Sequence, residues 1–145
     1  MLAMSAFEAW FCRSTPWRLA SRRVLSWATK GIPVEGNVLG IGGGSGAMAG
    51  DLLRVHPLLR LTVTDHDPAM VEAARKRLGK SPQVTVRQAD ATRLPFAGET
   101  FDAVLSFLML HHVIDWEQTI TEVGRVLRPG GTFVGYDLTY SRAAS

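Results

Sequence analysis

The chain is 145 residues long, room for one domain with a single substantial core and too short for two. Hydrophobic residues make up 46% and charged residues 20%, an ordinary globular balance, and the net charge of +3 is too mild to point to nucleic acid as a partner. No apolar run approaches the roughly 18 residues of a membrane span, Met1–Cys12 lacks the basic start of a secretory signal, and lone Cys12 excludes an internal disulfide, so no membrane partner is expected and the cytoplasm is the expected location.

Residues 1–33 read as an N-terminal helical segment, with a basic cluster at Arg13, Arg18, Arg22 and Arg23. Its aromatics Phe7, Trp10, Phe11 and Trp17 either pack on the core, the ordinary outcome at helical spacing, or form a lid over a pocket. Residues 34–145 then alternate short β-rich runs with longer helical ones, the rhythm of βαβ units around a parallel sheet. Asn37 to Ile41 is the first strand, followed by a glycine run and a helix from about Gly46 to Val55 that Pro57 ends.

Leu61 to Thr64 is a second, β-branched strand. Asp67 caps a helix with Pro68 at its first position, and Gly79 follows its end at Leu78. Val84 and Val86 mark a short third strand, and the apolar run Phe101 to Phe107 suits a central strand buried on both faces. A helix from about Trp116 to Leu127 puts Ile120, Val123 and Leu127 on one face; Arg128 to Gly131 forces a turn, and Thr132 to Leu138 is the fifth strand. His111 and His112 are adjacent and point in different directions, so no metal site is expected.

The junction Val38-Leu39-Gly40-Ile41-Gly42-Gly43-Gly44-Ser45-Gly46 joins strand to helix, where glycines permit a tight turn, close backbone approach to a ligand and free N–H groups at a helix start. Two spacings coexist in it. Gly42-x-Gly44-x-Gly46 is the spacing used for S-adenosylmethionine, while Gly44-x-Gly46-x-x-Ala49 satisfies the NAD fingerprint. Asp65, ending the second strand, suits the ribose hydroxyls of either cofactor. The loop alone leaves both open.

Further motifs separate them. Thr64-Asp65-His66-Asp67-Pro68-Ala69-Met70, Gln88-Ala89-Asp90-Ala91-Thr92-Arg93-Leu94-Pro95-Phe96, Phe101-Asp102-Ala103-Val104, Leu110-His111-His112-Val113 and Arg125-Val126-Leu127-Arg128-Pro129-Gly130-Gly131 follow one another between Val34 and Leu138. In order and spacing this set resembles the class I S-adenosylmethionine-dependent methyltransferases, in the ubiquinone/menaquinone-biosynthesis-like branch. The resemblance implies a Rossmann-like, doubly wound α/β fold with three αβα layers. It implies that Gly42, Gly43, Gly44 and Gly46 line the cofactor, that Asp65 accepts from the ribose hydroxyls, and that His66 packs on the adenine. It further implies that Asp90 and Ala91 meet the adenine edge, and that Ser106 and Phe107 border the methionine end. The acceptor implied is a small molecule: the Asn/Asp-Pro-Pro-Tyr/Phe motif of amino-methylating DNA enzymes is replaced by Ser106-Phe107-Leu108-Met109. No side chain is assigned a catalytic proton transfer, because the cofactor already carries the activated methyl group.

Two departures stand out. Gly40 occupies a position where the family usually carries an acid that anchors the cofactor's amino end. The sequence also stops at Ser145, soon after the fifth strand, so the sheet is expected to be truncated there; the edge then belongs to a shortened chain, is covered by a partner chain, or pairs with a second copy, and a homodimer is expected if Ser145 is the natural end. The leading function is methyl transfer to a small molecule. The alternatives are a non-catalytic binding or assembly module with a degenerate site, and an NAD-dependent oxidoreductase.

Overall fold

The computed structural model describes residues 6, 7, 10, 14–31, 34–107 and 109–137. Among them five strands, β1 (Asn37–Ile41), β2 (Arg60–Asp65), β3 (Val84–Gln88), β4 (Phe101–Phe107) and β5 (Leu127–Tyr136), form one sheet ordered β3-β2-β1-β4-β5. Every pairing is parallel. After β1 the chain winds outward through β2 and β3, then crosses back to β4 on the other side. The winding therefore reverses between β1 and β4, and a crevice opens above their carboxyl ends, where open α/β sheets bind ligands.

Among the described residues, the helices that flank the sheet are α1 (Thr15–Ala28), α2 (Ala47–Val55), α3 (Pro68–Leu78) and α4 (Trp116–Val126). Strand alternation sends Val38, Leu61, Val63, Leu105 and Val134 to one side, against Leu52 of α2 and Leu78 of α3. Leu39, Ile41 and Val104 go to the other, against Val123 and Val126 of α4 and Ala91 and Leu94 of a loop. The result is the doubly wound, three-layer αβα fold. β4 is buried along both faces, as its apolar run predicts. Asp67 caps α3, accepting from the Ala69 N–H at 2.8 Å with Pro68 at the first helical position. Asp115 caps α4 through the Gln118 N–H at 3.1 Å.

Three expectations change. The turn over Arg128–Gly131 lies inside β5 rather than before it. Leu127 already pairs with Phe101, and pairing resumes at Thr132 with Ala103, so four residues bulge out of a strand that starts directly from α4. Pro129 has no N–H for the ladder, and Gly130 takes a φ of 78°, so this segment leaves the register while its flanks keep it. Phe7 and Trp10, for which core packing is the default reading and a lid the alternative, are 70% and 62% exposed and meet each other at 6.0 Å between ring centroids. Ile120 is also exposed, and the buried face of α4 is Thr119, Glu122, Val123 and Val126. Phe11, Leu138 and the side chain of Trp17 lie outside the described residues. Among the described residues, β5 pairs only with β4.

Candidate functional site

The glycine loop leaves β1 at Ile41 and enters α2, with Gly46 as N-cap at φ 80°. That left-handed conformation suits glycine, and a Cβ there would meet the Leu78 side chain at 2.8 Å. Gly46 thus lets α2 and α3 approach closely. Gly44 differs: at φ 57° its missing Cβ would face open space, so backbone rather than side chain lines the crevice at this point. The loop is fastened to β2 by two bonds. The Gly43 N–H donates to the Thr64 carbonyl at 2.8 Å, and the Gly44 N–H donates to the Asp65 carboxylate at 2.9 Å.

Asp65 is the hub of the site. Its other carboxylate oxygen accepts from the Asp67 N–H at 2.9 Å, and its carbonyl accepts from the Ala89 N–H at 3.0 Å. Burial pushes the Asp65 carboxyl above its usual 3.8, opposed by the N–H groups of Asp67 and Gly44. His66 is exposed beside it, its carbonyl held by the Gln88 side-chain amide at 3.0 Å. The Ala89 bond also brings in the loop that carries Asp90 and Ala91. Asp90 is exposed, and the Thr92 hydroxyl (2.7 Å) and N–H (2.9 Å) hold its carboxyl below the usual range. Ala91 is buried.

The end of β4 forms the opposite wall. Phe107 is half-buried and lines a cavity of about 60 Å³ with Gly40, Gly42, Gly43, Met48, Leu52, Val63 and Leu105. Gly40 has an ordinary strand conformation, and a Cβ there would find only the Thr62 carbonyl, at 3.9 Å. The space left by its missing side chain is therefore walled by apolar groups. Ser106, next to Phe107, is buried, and its hydroxyl has no hydrogen-bond partner among the described residues. It sits in register between Ile41 and Gly135, inside the sheet rather than on an open wall.

Sequence reasoning missed the supports beneath these residues. Glu122 accepts the Leu94 N–H at 2.8 Å, and Arg125 donates to the Leu94 carbonyl at 3.0 Å and the Phe96 carbonyl at 2.8 Å. This pair, three residues apart on α4, clamps the loop that follows Asp90; Arg125 in turn holds the Glu122 carboxyl below its usual range. The i, i+3 acid–base spacing is visible in the sequence, but its target is not. Thr64 donates to the Gly40 carbonyl at 3.2 Å, tying β2 to β1 under the loop. At the far end of the sheet, Asp102 accepts from the Asn37 N–H at 2.8 Å and from Arg128 at 2.9 Å, tying the start of β1 to β5. The side chain of His111 lies outside the described residues.

A parallel sheet with its winding reversal at a glycine loop, and an acid closing the next strand, defines a Rossmann-like nucleotide-binding domain. Residues 39–135 match a family described as "Methyltransferase domain". The ubiquinone/menaquinone biosynthesis C-methyltransferase of Desulfotalea psychrophila is 38% identical over 112 residues, covering 77% of this chain and 45% of that protein. The demethylmenaquinone methyltransferase of Clavibacter sepedonicus is 33% identical over 119 residues, covering 81% and 45%. Among solved structures, a chain from the complex of the Haloferax volcanii Trm112 methyltransferase activator with a candidate methyltransferase superposes with a TM-score of 0.76. That pair is 30% identical, covering 88% of this chain and 56% of the other. The chain belongs to the class I S-adenosylmethionine-dependent methyltransferases, in the ubiquinone/menaquinone-like branch. It spans about half the length of the curated relatives it matches. The oxidoreductase reading, which rested on the second glycine spacing alone, falls.

Proposed function

We propose that this chain binds S-adenosylmethionine across the glycine loop and serves methyl transfer to a small-molecule acceptor. The observation that carries the reading is the bond from the Gly44 N–H to the Asp65 carboxylate, which sets bare loop backbone and an acceptor side chain on one crevice. The residues fit the cofactor. Gly44 has open space where a side chain would stand, which permits close approach of the ribose and methionine portion. Each Asp65 oxygen accepts one backbone N–H, and a carboxylate oxygen has a second lone pair to offer a ribose hydroxyl. Asp90, fixed by Thr92, is an acceptor for an adenine amino group, with Ala91 beside it and His66 exposed for ring contact.

When bound, the cofactor supplies a methyl group already activated on a sulfonium. The chain's contribution is then alignment and exclusion of water, with Phe107 and the apolar cavity forming a dry wall at the end of β4. Gly40 favours weak anchoring of the cofactor's charged amino end, since no carboxylate stands on β1 at that point. Titration with S-adenosylmethionine and a screen of small acceptors for methyl uptake test the reading. Among the described residues β5 pairs only with β4, and an edge of that kind supports pairing with a second copy; light scattering at high concentration tests that expectation, and a purely monomeric solution contradicts it.

A further inference from the structure

The N-terminal segment carries an uneven share of the chain's cations and exposed apolar side chains. Between Ala9 and Val34 stand Arg13, Arg18, Arg22, Arg23 and Lys30, with no acidic residue. The whole chain carries only +3, so five cations here leave the rest of it at a net −2. Arg22 reaches Asp51 of α2 at 3.1 Å, and Arg54 pairs with the same carboxylate, so α1 is fixed to the domain with a defined outer side.

On that outer side Leu19, Arg23 and Trp27 lie at i, i+4 and i+8, one row along the helix. All three are exposed, Leu19 by 57% and Trp27 by 69%, and exposed Lys30 stands just beyond the helix end. Phe7 and Trp10 add an exposed aromatic pair. Single exposed apolar residues are ordinary, but a row that alternates them with cations in an acid-free stretch is not. Contact between two copies of this face would set like charges against each other. A bilayer with anionic headgroups satisfies both parts of the row: Leu and Trp enter the headgroup boundary while Arg and Lys meet negative charge.

We propose that the outer face of α1 docks this chain on an anionic membrane surface. No helix among the described residues is long and apolar enough to cross a membrane, and a helix lying in the interface plane needs no such length. The lack of a long apolar run in the sequence bears on crossing a membrane and not on docking at its surface, so the expectation of no membrane partner is revised by the exposure pattern. Docking also orients the domain. Trp27 meets Tyr136 edge-on at 5.9 Å between centroids, and Tyr136 is in register with Phe107 at the carboxyl end of the sheet. The docked face thus adjoins the end of the sheet where the crevice opens.

Co-sedimentation of the 145-residue chain with phosphatidylcholine vesicles, with and without phosphatidylglycerol, tests this directly. The expected result is binding to the mixed vesicles at low salt and release in roughly 0.5 M salt, where charge interactions are screened. Arg23→Glu, a reversal of two charge units, is expected to weaken binding roughly thirtyfold at about fivefold per unit. Leu19→Gln, which keeps a good helix former, is expected to weaken it with an unchanged circular-dichroism spectrum. Three results overturn the proposal: no binding to anionic vesicles at low salt, equal binding to neutral and anionic vesicles, or binding that neither substitution alters. A dimer that Leu19→Gln disrupts, without vesicle binding, also overturns it and assigns the face to a second copy. No cofactor enters the assay, so its failure leaves the methyl-transfer reading untouched.

Discussion

Restoring an acid at Gly40 is the perturbation with the most informative magnitude. The position is sterically open, since a Cβ there meets nothing nearer than the Thr62 carbonyl at 3.9 Å, and the backbone is ordinary strand. Beyond that Cβ lies the small cavity walled by Met48, Leu52, Val63, Leu105 and Phe107. In the free protein, a carboxylate beside those groups lacks a partner and is expected to cost more than the about 1–3 kcal/mol of an unpaired neutral group while it is ionised. In the complex it gains a charged hydrogen bond to the cofactor's amino end, of about 1.5–3 kcal/mol. At about 1.4 kcal/mol per decade, Gly40→Asp should tighten S-adenosylhomocysteine binding roughly tenfold to a hundredfold, less whatever part of the stability cost persists when bound. Isothermal titration reads the dissociation constant, and thermal melts with and without ligand read the two stabilities. Gly40→Ala fills the same space without charge and should give neither the apo loss nor the gain in affinity. A folded Gly40→Asp with unchanged or weaker affinity refutes the reasoning.

Other substitutions separate binding from folding. Gly44→Ala should cost about 1–2 kcal/mol through its left-handed backbone and, by placing a methyl in the open crevice, should weaken cofactor binding beyond detection by calorimetry. Gly46→Ala adds a clash with Leu78 to the same backbone strain, so its melting temperature should fall further than that of Gly44→Ala. Asp65→Asn should weaken the cofactor and also loosen the loop, because its amide offers one acceptor oxygen to the Gly44 and Asp67 N–H groups that the carboxylate holds with two; in the native protein, affinity should fall as pH drops through a value raised above 3.8, because burial raises the Asp65 pKa and the ionised form is the better acceptor of the ribose hydroxyls. Glu122→Gln should lose about 1–3 kcal/mol near neutral pH. Because Arg125 lowers the folded-state pKa of Glu122 below 4.5, the native advantage should be fully present above that pH and vanish as pH falls through the lowered value, as denaturant titrations across pH will show.

The parts of the fold legible in the sequence are those fixed by local chemistry. Asp67-Pro68 specifies a helix start because a carboxylate cap and a proline ring act within one turn. The almost continuous apolar run at Phe101–Phe107, broken by Asp102 and Ser106, specifies a strand covered on both sides. The glycine loop is legible for the same reason, since tight turn and helix entry are set by adjacent residues. What the sequence hides is non-local. Leu127 pairs with Phe101 while Arg128–Gly131 bulges, a register decision made by β4 and not by the bulge itself. Glu122 and Arg125 advertise a helical ion pair, yet their work is on the Leu94 and Phe96 backbone. Helical spacing of Phe7 and Trp10 is equally compatible with a core face and an exposed one, and only tertiary packing decides between them. Ser106 stands at the end of β4 as the sequence places it, but that its hydroxyl is buried is decided by the strands on either side and not by its own neighbours.

The most direct test of the central claim is calorimetric titration of this chain with S-adenosylmethionine and S-adenosylhomocysteine, with NAD as the control. The account predicts binding of either adenosyl ligand in the micromolar range, none of NAD, and loss of the heat signal in Gly44→Ala. Absence of binding up to millimolar ligand, in protein whose melt shows an intact fold, would contradict it.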